Sequence, residues 1–281
     1  MEVCKFCKQN EAIENSHIIP KSIYDWLKKT APSPYIRSVH NPNQRVQDGI
    51  KSALLCEGCE VKFSKIEDDF AKVFFTKVAN YRKPYPKLLP ITSNVLKCLY
   101  VIAWRVLADS YYFPQENDYT DEEFKEFPVF LEKIKASIVS DNLTDFRVHI
   151  IPCEKSVLER VNLPKVEWHI YERSITAEPR IWDNWERFLI YIQIPFTVIV
   201  FEVVPNETDE WSGTLLEKEK PLDISKISSV PDYVGELIWL KYQEFENSKS
   251  QLYKSQIDTL QKVGSNMNKN CGAWKTMNKR W

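Results

Sequence analysis

Several features that would settle a class quickly are missing from this chain. No stretch is long and apolar enough to span a membrane. The most apolar one, Phe188 to Val204, is interrupted by Gln193, Pro195 and Glu202 and falls short of the roughly 20 residues a spanning helix needs. The N-terminus has no apolar run, so no secretory leader is expected. No internal repeat or low-complexity segment is visible. Net charge is nearly absent, at a formal −1, which excludes a uniformly polybasic nucleic-acid binder. Seven cysteines are an odd number, and four sit in Cys-x-x-Cys pairs. That composition argues against a disulfide framework and for metal binding in a reducing, cytoplasmic setting.

What is present supports a sizeable core. The 281 residues are 43% hydrophobic and 13% aromatic, enough for one large domain or two modest ones. Charge is unevenly spread. Residues 1–90 hold 15 Lys and Arg against 10 Asp and Glu, while the remainder holds 23 against 29. The last twenty residues carry Lys262, Lys269, Lys275, Lys279 and Arg280 without an acid. Such a bias suits either a basic surface near the N-terminus that meets a polyanion or ordinary solvated charge.

Patterning gives a coarse organisation. Ala12–Ile19 reads as a strand, and Lys21–Lys29 as a short helix after Pro20, with Ile23, Trp26 and Leu27 inward. Residues 30–48, with Pro32, Pro34, Pro42 and Asn43, read as a loop. Phe63, Ile66, Phe70, Val73 and Phe74 recur at helical spacing, with Cys59 and Glu60 in the first turn. The prolines of 83–90 mark a boundary, giving an N-terminal unit over 1–82 and a second over 91–281. Residues 93–112 form a buried helix whose narrow polar side holds Arg105 and Asp109. Thr120 starts another helix, interrupted near Pro128. From Phe146 the texture becomes β, with strands at Arg147–Ile151 and Val166–Tyr171 and two more within Phe188–Val204, divided at Pro195. A long final helix is expected over Asp232–Val263. The fold class is therefore α+β.

The chemistry concentrates in the first sixty residues. Thiolates are ligands zinc favours, and a two-residue gap lets one tight turn present two sulfurs to one ion. Cys4, Cys7, Cys56 and Cys59 are therefore expected to hold a structural Zn²⁺. Cys98, Cys153 and Cys271 stand alone and read as small buried or surface residues.

The run Cys-x-x-Cys, Ser16-His17-Ile18-Ile19-Pro20-Lys21, then Leu54-Leu55-Cys56-x-x-Cys59-Glu60 resembles the HNH branch of the His-Me finger endonucleases over about residues 1–80. The resemblance implies a zinc-stabilised, treble-clef-like ββα finger. It implies His17 as the general base that deprotonates an attacking water, and one catalytic Mg²⁺ or Mn²⁺. Ser16 stands where the family usually has an acid or histidine ligand. The family's middle Asn falls near Ile50 or Lys51, with Asn41, Asn43, Gln47 and Asp48 upstream. The last His or Asn maps onto Glu60, a good hard-cation ligand. The resemblance also implies a nucleic-acid substrate, DNA foremost, and a setting in phage defence or a mobile element. A protein partner could engage residues 91–281.

Each residue also has a plainer reading. His17 could be a scaffold histidine, and Glu60 a helix acid favoured by the dipole. Arg45 is either a phosphate clamp or part of a solvated turn. Glu67, Asp68 and Asp69 read as a polar helix face, His149 and His169 as structural strand residues, and the aromatics of 182–201 as sheet core rather than base-stacking platforms. Two functions compete: a metal-dependent endonuclease, and a catalytically inactive zinc finger joined to an interaction domain.

Overall fold

The computed structural model describes residues 2–114, 119–182 and 185–281 and shows a mixed α+β chain. Its N-terminal region is short on regular structure. β1 (Ser16–His17) pairs antiparallel with β2 (Lys51–Ser52), Ser16 opposite Ser52 and His17 opposite Lys51. Between them lie α1 (Lys21–Lys29) and the long loop. The strand expected over Ala12–Ile19 is thus confined to two residues. The segment before it pairs locally instead, through a bridge between Val3 and Glu11.

After β2 the chain enters α2 (Glu57–Phe70), which continues through a π-helical turn (Ala71–Phe75) into α3 (Thr76–Val78). Cys59 and Glu60 lie in the first turn of α2, where Cys56 is the N-cap. The proline-rich stretch carries β3 (Leu88–Leu89), which pairs with the distant β8 (Leu222–Asp223). Then comes α4 (Ser93–Tyr112), capped by Thr92, with thirteen buried residues. α5 (Asp121–Ser140) starts with a capping box between Thr120 and Glu123 and runs unbroken through Pro128. The cap and the burial of Phe127, Leu131 and Ile134 outweigh the hydrogen bond that proline removes.

Four strands form one antiparallel sheet: β4 (Arg147–Pro152), β5 (Thr176–Trp182), β6 (Arg187–Ile194) and β7 (Thr197–Val204), in the order β4-β7-β6-β5. Strand alternation, with both faces of the sheet covered, explains why β6 and β7 are buried along nearly their whole length and mostly apolar. Phe188, Ile190, Ile192, Ile199 and Phe201 join the core built around α4 and α5. Leu189, Tyr191, Val198 and Val200 join a second core on the opposite face. That second core is covered by α7 (Trp168–Arg173) and α8 (Asp232–Ser250), while α6 (Lys155–Arg160) contributes Leu158.

Two expectations change here. Val166–Tyr171 is not a strand: Trp168, Ile170 and Tyr171 are buried on the short helix α7, and a brief apolar run does not by itself separate the two. The final helix is divided. α8 stops at Ser250, α9 spans Lys254–Ser265, and α10 spans Gly272–Met277. At the break, the Asn43 amide donates to Gln251 O at 2.9 Å and accepts the Tyr253 N–H at 2.8 Å, satisfying backbone groups the interruption frees.

Packing runs across the expected boundary at 83–90. One apolar cluster joins Cys4, Phe6, Ile23, Phe63 and Phe75 to Leu99, Trp104, Ile192 and Phe201. The Phe6 ring meets the Trp104 ring at 5.0 Å. No helix among the described residues is long and apolar enough to cross a membrane.

Candidate metal centre and the neighbouring histidine

The first knuckle forms because Lys8 takes a left-handed φ of 58° and returns its N–H to Cys4 O at 2.9 Å. Cys7 N–H points at Cys4 Sγ, 3.5 Å away. In the second knuckle the Cys59 and Glu60 N–H groups both reach Cys56 O at 3.0 Å, so the helix start itself places the sulfurs. The knuckles meet with Cys4 Sγ 3.9 Å from Cys59 Sγ and Cys7 Sγ 3.7 Å from Cys56 Sγ. All four sulfurs lie within 4.8 Å of one another. A tetrahedral zinc with Zn–S bonds of about 2.3 Å needs edges of about 3.8 Å, so donor set and spacing both fit.

Local electrostatics divide the quartet. Burial pushes the Cys4 and Cys59 thiols up. Cys7 also meets a desolvation penalty, but the N–H groups of Asn10 and Gln9 outweigh it and bring the thiol down to about 6. Asn10 Nδ2 lies 3.8 Å from Cys56 Sγ, the kind of outer contact that orients a ligand.

His17 faces a different way. Strand alternation puts Ser16 and Ser52 on one face of the hairpin and His17 and Lys51 on the other. Ser16 is fully buried and its Oγ accepts the Leu55 N–H at 3.1 Å. Ser52 donates to Asp109 of α4 in a short hydrogen bond, and burial raises that carboxyl's pKa. On the other face, His17 Nε2 lies 3.0 Å from Asp48 Oδ1. The separation is that of a charge-assisted contact, but the N–H direction falls off the line of a hydrogen bond. At this distance the two groups still interact electrostatically, and the effect is felt at the Asp48 carboxyl. Asp48 Oδ2 takes Lys51 Nζ at 2.8 Å, and Oδ1 accepts the Gly49 N–H at 2.9 Å. Burial works to raise the Asp48 carboxyl, but Lys51, His17 and the Gly49 N–H together hold it well below the usual carboxylate range.

Glu60 is committed elsewhere. Arg105, 1% exposed, reaches across from α4 to Glu67 Oε1 at 2.5 Å and Glu60 Oε2 at 3.3 Å. The other Glu60 oxygen is buried without a hydrogen-bond partner. Among the described residues the four cysteines are the only group of three or more His, Cys, Asp or Glu whose ligand atoms converge. Neither His17 nor Glu60 belongs to such a group: His17 faces Asp48, and Glu60 faces Arg105.

The remaining residues separate clearly. The Arg45 guanidinium lies over the Tyr35 ring at 5.6 Å. Asn41 pairs with Gln44, and Asn43 is spent on the α8–α9 break. Of the residues considered for the family's Asn, Lys51 pairs with His17 across the hairpin, and Asp48 is the one whose side chain meets the His17 ring nitrogen. His149 is buried on β4, with Nδ1 2.8 Å from Thr214 Oγ1 and its ring 3.9 Å from that of Trp211. His169 lies on α7 rather than on a strand. A concavity of about 620 Å³ lies beside the first knuckle, lined by Asn10 to Asn15 and Cys56 to Gly58. It borders the cysteines but is not lined by His17, so it is not a cleft serving that histidine.

The chain matches no family model, no curated protein and no solved structure. Function therefore has to be argued from these residues.

Proposed function

We propose that the chain hydrolyses phosphodiester bonds in nucleic acid, DNA foremost, with His17 as general base. The observation that carries this reading is the His17–Asp48 pair, held on a hairpin whose following helix begins at the cysteine quartet. A histidine is the side chain best suited to take a proton near neutral pH, and an adjacent carboxylate favours the imidazolium that results. Zinc on Cys4, Cys7, Cys56 and Cys59 fixes the hairpin against the helix. Along the chain the order is β1, α1, β2, α2; with α1 and the loop taken as an insertion, this corresponds to the ββα order the resemblance implies. A bound Mg²⁺ or Mn²⁺ would steady the leaving oxygen, but the described residues gather no group of three or more ligands for it besides the cysteines. A setting in phage defence or a mobile element follows from the resemblance.

The test is cleavage of plasmid, single-stranded DNA and RNA by the zinc-loaded chain, with Mg²⁺, Mn²⁺ or chelator. Cleavage that disappears in His17→Ala is expected. Cleavage that survives the substitution removes His17 from the reaction.

One observation favours the second reading, a zinc-stabilised binding module without catalysis whose 91–281 region engages a protein. It is the engagement of Glu60 by Arg105, which occupies the mapped ligand. Tight nucleic-acid binding with no cleavage under any metal would select this alternative.

A further inference from the structure

The loop that delivers Asp48 is fixed along its length. Ile36 and Val46 exchange backbone hydrogen bonds of 2.9 and 3.0 Å. Arg37 donates to Pro42 O at 2.6 Å and to Gln256 of α9 at 2.7 Å. Lys28 of α1 donates to Gln47 O at 2.8 Å. The turn then presses on α1: a Cβ at Gly49 would fall 2.0 Å from the Tyr24 ring, a separation only glycine avoids. Tyr24 is itself buried, and its ring lies 6.3 Å from that of His17. Asp48 is thus held on both sides. One oxygen is divided between the Gly49 N–H and His17, and the other goes to Lys51. Neither ring nitrogen of His17 makes a hydrogen bond among the described residues, and Nε2 is the one that faces Asp48, at 3.0 Å.

We propose that Asp48 is the positioning residue of His17, holding the ring through Nε2–H so that Nδ1 presents the lone pair that accepts the proton of water. The proposal rests on His17 acting as a base. Water loses a proton to Nδ1 as its oxygen bonds to phosphorus. The P–O bond to the leaving oxygen breaks, that oxygen takes a proton from solvent, and His17 later returns its proton to solvent. Asp48 stays ionised and faces the imidazolium while it exists. Lys51 occupies the far oxygen, and the Gly49 N–H holds the near one beside His17.

The full zinc-loaded chain is assayed on a labelled single-stranded DNA oligonucleotide with Mn²⁺, in wild type, His17→Ala, Asp48→Ala, Asp48→Asn and the double variant His17→Ala/Asp48→Ala. Zinc content and thermal unfolding confirm that each is folded. Asp48→Ala is expected to lower kcat about 10- to 100-fold, the scale on which an outer partner of a functional histidine acts, with KM nearly unchanged. Asp48→Asn keeps an acceptor oxygen and retains part of the rate. On the residual cleavage of His17→Ala, read over long incubations at high enzyme concentration, Asp48→Ala has no further effect, because a residue that acts through another shows full coupling in the cycle. Additive losses, or a change in KM alone, overturn the proposal. If the wild-type chain cuts nothing, the nuclease reading fails separately and the pairing is judged by the ring ¹⁵N shifts of His17. A tautomer population that moves on Asp48→Ala sustains the positioning role, and an unmoved one removes it.

Discussion

The cysteine quartet and the residues His17 and Glu60 share the same hairpin and helix, yet among the described residues only the quartet gathers three or more ligand atoms. Its sulfurs lie within 4.8 Å of one another, set by two backbone turns that the Lys5 N–H to Leu54 O and Ile13 N–H to Leu55 O bonds bring together. His17 and Glu60 answer to neighbours from outside. A returning loop brings Asp48 to His17, and α4 brings Arg105 to Glu60. Sites built by local turns survive as motifs, whereas sites completed by distant elements depend on what the distant elements bring. Removing each kind of support tests the contrast.

The largest effect is expected from zinc. Structural zinc contributes on the order of 10–16 kcal/mol of apparent binding energy in small finger peptides near pH 7. Chelation, or Cys59→Ser, should therefore unfold the N-terminal region. Because one apolar core joins Phe6 and Phe63 to Trp104, thermal unfolding of the whole chain should broaden or shift downward as well. Elemental analysis and circular dichroism read this. Less than one zinc per chain, or unchanged unfolding after chelation, would break the comparison at its stronger end.

Next comes Arg105→Ala. It strands two carboxylates, Glu60 and Glu67, against a buried helix. Removing one partner of a buried ion pair costs about 3–5 kcal/mol. Glu60→Gln should cost much less, since Glu67 still meets Arg105 at the shorter distance. A Glu60→Gln variant that instead abolishes Mn²⁺ binding while leaving stability untouched would return Glu60 to the role of ligand.

These two regions were not equally readable in the chain. The quartet followed from spacing alone. α1 was marked by Pro20 and its inward apolar residues, and α4 by an apolar run with a single polar side. Arg105 was visible as the odd cation of that run, but its partners lie 38 and 45 residues away, and no local period reports such distances. Asp48 was legible only as one of several polar loop residues. What singles it out is the Tyr24 ring against Gly49 and the stitching of the loop to α9, which are tertiary facts. The strand expected over Val166–Tyr171 gives way to α7 for a related reason: the segment is buried between the sheet and α8, and so short an apolar run fits a helix as well as a strand.

A third expectation concerns acid. The Asp48 carboxyl is depressed in the folded chain despite its burial. A depressed carboxylate contributes stability that is present above its unfolded value of about 3.9 and is lost as pH falls through the folded value. Stability measured downward from pH 5 should therefore fall faster in the wild type than in Asp48→Asn. Zinc release, which protonation of thiolates also drives at low pH, is followed in parallel so that the two losses are separated. Equal slopes in both proteins would show that the His17 side is not held by this charge.

The smallest effect is expected from Lys51→Met. The Lys51–Asp48 pair is partly exposed, at 28% and 26% for the two side chains, and ion pairs of this kind contribute about 0.2–1 kcal/mol. Met keeps the apolar stem of lysine and removes only the charge, so stability should barely move. Asp48 would still hold the Gly49 N–H and face His17 through the same oxygen. Cleavage should accordingly stay within about threefold of wild type, which is the rate equivalent of roughly 0.7 kcal/mol. A loss as deep as that of Asp48→Ala would mean that Lys51 rather than the turn keeps the carboxylate on His17, and the histidine's support would then be electrostatic where the cysteines' support is geometric.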